Sequence, residues 1–156
     1  MLAISHKEAA MTTAMKINEN LLASPQGALE LRVVPMPSDV NGGGDIFGGW
    51  VMAQVDIAGG FAAQRRARGR VATVAVTSFT FKQPISVGDQ VSFYTQIIRV
   101  GKTSIAVDVQ VFAERHPENP VIVKVTEAQL VYVALNVDGS KRLVPSEPMV
   151  AALTRA

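Results

Sequence analysis

The sequence predicts an α+β fold in which an antiparallel β-sheet wraps one long central helix. Three observations lead there. A single stretch, Trp50 to Arg68, holds about 20 residues without proline and is rich in helix formers, enough for ~30 Å of helix. After Val71 the chain reads as strand upon strand, each bounded by a short turn. Strands joined by short turns pair antiparallel, and packing one face of such a sheet on the lone helix is the most economical two-layer arrangement.

The elements follow in order. Residues 1–27 read as an N-terminal tail or accessory segment, closed by the turn residues Ser24-Pro25-Gln26-Gly27. Leu29 to Val34 alternates as a strand, and Pro35 and Pro37 end its pairing because proline lacks the ladder donor. A glycine-rich loop, Asn41 to Gly49, precedes the helix. Val51, Met52, Val55, Ile57, Ala58, Phe61 and Ala62 spread around the helix, which predicts burial on most sides. Gly59-Gly60 inside it costs roughly 1 kcal/mol per glycine relative to alanine, so something must pack close there. Strands are expected at Val71 to Phe81, Val91 to Val100, Thr103 to Ala113 and Val121 to Leu135, the last with a bulge near Glu127. Their order in the sheet is not readable from pattern. One domain, residues 28–145, therefore carries the fold, followed by a C-terminal tail, 146–156.

Composition narrows the chemistry. At 48% hydrophobic and 18% charged, the 156-residue chain is globular rather than disordered. A net charge of +2 is too mild to point to nucleic acid, and no apolar run reaches the ~20 residues of a membrane span. Polar residues Ser5 to Glu8 interrupt any early signal-like stretch, so a cytoplasmic protein is expected. There is no cysteine, which excludes disulfides, a thiol nucleophile and thiolate-bound zinc. The two histidines, His6 and His116, fall in the tail and in a loop. Neither HExxH nor GxSxG occurs. If the protein is an enzyme, carboxylates and backbone groups must do the work.

The glycine-rich loop is where such groups meet. Neither phosphate-binding glycine pattern fits it: no Lys-Ser or Lys-Thr follows, and Phe47 stands where GxGxxG needs its third glycine. It offers instead a carboxylate, Asp45, just before Gly48-Gly49 at a helix start. The free N–H groups there can hold an oxyanion, and missing side chains let a carbonyl approach. A base beside such donors is the minimum apparatus for adding water to a carbonyl. The alternative reading makes Asp45 a helix cap and the glycines a plain turn.

Asn41-Gly42-Gly43-Gly44-Asp45-Ile46-Phe47-Gly48-Gly49-Trp50-Val51-Met52, continuing to Val55-Asp56, resembles the signature of bacterial YciA-type acyl-CoA thioesterases. The likeness extends through Gly69-Arg70-Val71, Phe81 to Pro84, Val87-Gly88-Asp89, Gly101 to Ser104 and Thr126-Glu127-Ala128, over roughly residues 28–145. It implies a hotdog fold, dimers assembled into hexamers with the site between subunits, and hydrolysis of acyl-CoA without metal or organic cofactor, CoA being part of the substrate. It further implies that Asp45 is the catalytic carboxylate, acting either as general base on water or as a nucleophile forming an anhydride. By the same resemblance the Gly48 and Gly49 amides hold the thioester oxygen, and Asn41 positions water or the carbonyl. The family often carries a basic residue directly before the proline at position 84. Here that residue is Gln83, with Lys82 one place earlier, and in a strand this shift turns the side chain to the other face.

Other polar residues carry two readings each. Lys82, and Lys102, Thr103 and Ser104 after a tight turn, are candidate contacts for the CoA arm; the last three also suit plain turn chemistry. Asp56 is either a second polar group of the site or a satisfied buried anchor. Arg65, Arg66, Arg68 and Arg70 either meet CoA phosphates or complement the helix C-terminal dipole. Phe47 and Trp50 read as packing residues. Two rival functions remain at this level. A non-catalytic acyl-CoA-binding protein would use the same loop. An enoyl-CoA hydratase would need a histidine where Gly44 stands.

Overall fold

A computed structural model describes residues 25–146. The accessory segment expected over 1–27 and the tail expected over 146–156 lie, but for residues 25–27 and 146, outside the described residues, as does His6. Five strands and one long helix form in the expected order: β1 (Ala28–Val33), α1 (Gly48–Ala67), β2 (Val71–Phe81), β3 (Gln90–Val100), β4 (Ser104–Arg115) and β5 (Val121–Ala134). A single 3-10 turn, Pro37–Asp39, lies between β1 and α1.

The sheet is antiparallel throughout, in the order β1-β3-β4-β5-β2. Helix α1 thus carries the chain from one edge of the sheet to the other, and β1 and β2 become the two edges. Central β4 is flanked on both sides, and its alternating positions carry β-branched residues. Its Ile105, Val107, Val109 and Val111 are fully buried and form one wall of the core. Val51, Val55, Ala58 and Ala62 of α1 supply the other. The bulge in β5 falls at Val125, just ahead of its expected place: Val111 pairs with Thr126 and Phe112 with Lys124, so Val125 has no opposite residue.

The helix corrects one expectation. It buries one face, not most of its circumference. Met52, Ile57 and Phe61 remain exposed, because the sheet covers a single side of it. It also begins two residues early, at Gly48, and ends with Arg68 in the left-handed conformation at φ 53°.

The glycine pair has a specific cause. Tyr132 of β5 rises beneath the helix, and a Cβ on Gly59 would overlap its hydroxyl. That hydroxyl donates to the Asp56 backbone oxygen at 3.1 Å and to Asp56 Oδ1 at 3.2 Å, while Thr73 Oγ1 donates to the same carboxylate oxygen at 2.6 Å. Burial, then the neighbouring carboxylate, keeps the Tyr132 phenol protonated far above its ordinary range. Asp56 is therefore the satisfied anchor of its two readings. Gly59→Ala is expected to lower stability by about 1–3 kcal/mol through overpacking. Gly60→Ala, whose Cβ meets Tyr132 only at an ordinary 3.9 Å, is expected to be neutral or mildly stabilising. Denaturant melts of the two variants check the contrast.

Candidate active site

The glycine-rich loop is a tight bracket. Val40 and Ile46 form an isolated antiparallel bridge at its base. The Asn41 amide donates to the Asp45 carbonyl at 2.8 Å and the Gly44 amide to the Asn41 carbonyl at 3.0 Å. Asn41 Oδ1 accepts from the Gly43 amide at 2.7 Å, so this side-chain oxygen braces its own loop. Gly44 sits at φ 93°, a conformation that other residues rarely adopt.

Beyond the bracket the chain is nailed down. Ile46 is buried, and its amide donates to the Ile85 carbonyl at 2.9 Å; the Phe47 amide donates to the Asp39 carbonyl at 2.8 Å. Asp45, one residue earlier, is left exposed on the wall of a pocket of about 330 Å³. Asn41, Gly48, Lys82, Gln83 and Thr126 share that pocket.

Gly48 opens α1 directly beside it. The N-cap residue is Phe47, and no side chain caps the helix, so Asp45 does not serve as its cap. The amides at the start of α1 are left without an intrahelical acceptor. A Cβ on Gly48 would come within 3.2 Å of the Phe81 ring, which is why the wall needs glycine there. Gly49 is the next residue along; its Cβ would meet the Phe47 ring at 2.8 Å. Phe47 itself is exposed, whereas Trp50 packs partly against the core.

Lys82 and Gln83 both line the pocket, contrary to the strand-face argument. Alternation fails because β2 ends at Phe81, and the amides of Lys82 and Gln83 both turn to the Val125 carbonyl, at 2.8 and 3.3 Å. The Lys82 ammonium pairs with Glu127 at 2.9 Å, and Lys124 pairs with the same carboxylate at 2.8 Å. Lys124 first, then Lys82, holds the Glu127 carboxyl below the usual range.

The loop on one side of the pocket is braced by an ion pair between buried Asp89 and half-buried Arg115. Asp89 Oδ2 accepts from Arg115 Nε at 3.1 Å and from the Ser86 amide at 3.0 Å. Arg115 also donates to the Pro84 carbonyl. These bonds fix the loop whose Ile85 carbonyl holds Ile46, and through it Asp45.

Lys102, Thr103 and Ser104 are not brought to this pocket. Lys102 and Thr103 lie between β3 and β4 and Ser104 opens β4, level with Val133, whereas the pocket is level with Thr126; that is ~23 Å along the sheet. Their backbone closes the turn and ties it down: the Gly101 amide donates to the Ser104 carbonyl at 2.7 Å, and the Lys102 and Thr103 carbonyls accept from Val144 and Ala134. A larger cleft, about 730 Å³, lies between Ala28, Glu30, Ala62, Arg65 and Ile97. It is ~26 Å along α1 from Gly48. Its Arg65 is paired with Glu30, while Arg66 donates to the Pro145 carbonyl at 2.8 Å. Volume alone favours that cleft, but the start of α1 at Gly48 and the Asp45 carboxylate, which has no partner among the described residues, meet at the smaller one.

Comparison with known proteins agrees with this geometry. Residues 43–119 match the thioesterase superfamily. The chain is 44% identical over 124 residues to the acyl-CoA thioester hydrolase YciA of Salmonella typhimurium, covering 78% of this chain and 93% of that one. The chain belongs to the YciA acyl-CoA thioester hydrolase family. Among solved structures, it is similar to the hexameric thioesterase y2039 of Yersinia pestis, at TM-score 0.75 and 42% identity over 80% of this chain and all of that one. It is likewise similar to Cj0915 of Campylobacter jejuni, a hexameric hotdog fold thioesterase, at TM-score 0.73 and 40% identity over 76% and 91% of the two chains. Among the described residues, the long helix and the five-stranded antiparallel sheet are the hotdog fold. In this YciA-type chain Asp45, Gly48 and Gly49 lie inside the matched residues 43–119, as does the Asp89–Arg115 brace, while Asn41 and Gly42 precede them.

Removing one partner of that brace leaves the other charge uncompensated. Asp89→Ala is expected to lower stability by about 3–5 kcal/mol, read as a shift of the urea midpoint. A shift below about 1 kcal/mol would mean that the pair does not hold the loop.

Proposed function

We propose that the protein hydrolyses acyl-CoA to a free carboxylic acid and CoA, with Asp45 as general base. The observation that carries this reading is that an exposed carboxylate without a partner among the described residues and an uncapped helix start line one pocket. Water adds to the thioester carbonyl carbon and gives a proton to Asp45. The oxygen of the tetrahedral adduct takes hydrogen bonds from the Gly48 and Gly49 amides. The carbon–sulfur bond then breaks, and CoA leaves as thiolate, taking up the proton. No step requires a metal or an organic cofactor. Asn41 supports the base by shaping the loop, and Lys82 offers a cation to the CoA arm at the pocket rim.

Assembly belongs to the same reading. The protein is proposed to form dimers that build a hexamer, as its structural relatives are hexameric. Two features of the protomer support this. Strand β2 is an edge with exposed Val74 and Val76, and α1 leaves Met52, Ile57 and Phe61 uncovered. Such an edge and such a patch call for a partner. Lys102, Thr103 and Ser104 would then meet the CoA arm from a neighbouring copy.

The test follows free thiol released from a panel of acyl-CoAs, to which a protein without cysteine adds no background. Wild-type protein is expected to turn over, and Asp45→Asn to lose about 100-fold or more in kcat with the assembly unchanged by light scattering. Equal turnover by Asp45→Asn would remove Asp45 from the mechanism.

A further inference from the structure

Thr126 is the polar residue of the pocket that loop-centred reasoning passes over. It belongs to β5 and has no exposed surface. Its hydroxyl oxygen, also buried, has no hydrogen-bond partner among the described residues. A buried hydroxyl without a partner is costly, and folded proteins rarely retain one without use. Valines precede it in sequence, and Val123 and Val125 are both buried, so a valine would satisfy the packing as well.

The bulge explains how Thr126 comes to line the pocket. With Val125 unopposed, two consecutive side chains, Val125 and Thr126, are both fully buried. Bulges re-aim side chains in this way beside functional sites. The Val125 carbonyl on the bulge also accepts the Lys82 and Gln83 amides, so the irregularity shapes two walls of the pocket together.

We propose that the Thr126 hydroxyl holds the attacking water, as the second protein contact of that water beside Asp45. This rests on the hydrolase reading above. The water points one hydrogen at the Asp45 carboxylate and the other at Thr126 Oγ1, which leaves a lone pair free for the thioester carbon. Only the proton facing Asp45 transfers; Thr126 keeps its own. Its contribution is to orientation, so its loss falls on kcat rather than on KM.

Thr126→Val retains the shape and removes the hydroxyl, while Thr126→Ser retains the hydroxyl. In the thiol-release assay Thr126→Val is expected to lose about 10- to 100-fold in kcat, with KM within about two-fold of wild type. Thr126→Ser should recover most of the loss. The melting temperature of Thr126→Val should equal or exceed that of wild type, because an unpartnered hydroxyl is removed. Wild-type kcat in Thr126→Val would overturn the proposal. So would a fall in kcat matched by a fall in melting temperature, or one that serine fails to rescue. Wild-type protein that releases no thiol from any acyl-CoA would overturn the hydrolase reading and this proposal together, an outcome distinct from failure at Thr126 alone.

Discussion

The site hangs on the fixing of Ile46. Its side chain is buried in the core and its amide is bonded to Ile85, so the residue before it has no freedom to fold inward. Asp45 must therefore face the pocket. Ile85 is fixed in turn, because its loop is held by Asp89 and Arg115. A chain of contacts from β4 through a half-buried ion pair thus orients a carboxylate on a different loop. Positioned groups of this kind carry catalysis only when the neighbouring shell is rigid.

The second constraint is an omission. Most helices satisfy their first amides with a side chain at the cap. Here the cap position holds Phe47, which offers none, and two glycines follow it. The helix forgoes that stabilisation and keeps donors available. The same helix is thinned again at Gly59, where Tyr132 and Asp56 lock it to the sheet. Uncapped at one end and pinned in the middle, α1 is held by tertiary contacts more than by its own propensity.

Much of this was legible in the sequence, and what was not has physical reasons. Strand and helix existence followed from period, and the ends of β2 and β5 fell within a residue or two of expectation. Sheet order was hidden, because hydrophobic pattern says which face is buried and not which strand is beside which. The extent of helix burial was overread: Met52, Ile57 and Phe61 are as apolar as core residues but face away from the sheet. At the site, the motif drew attention to Asp45, Asn41, Gly48 and Gly49. The face of Lys82 was misjudged because strand alternation was carried past the last residue of β2. The burial of Thr126 was invisible, although a threonine directly after Val121, Val123 and Val125, near an expected bulge, was a usable signal.

The central claim is that a thioester carbonyl lies between Asp45 and the first amides of α1. A crystal structure with a carba analogue of acyl-CoA, in which methylene replaces sulfur and the carbonyl is kept, tests it most directly. The carbonyl oxygen should lie about 3 Å from the Gly48 or Gly49 amide nitrogen, with the Asp45 carboxylate facing the carbonyl carbon across one water. An analogue bound with its carbonyl in the cleft beside Arg65, or turned away from both amides, would contradict it.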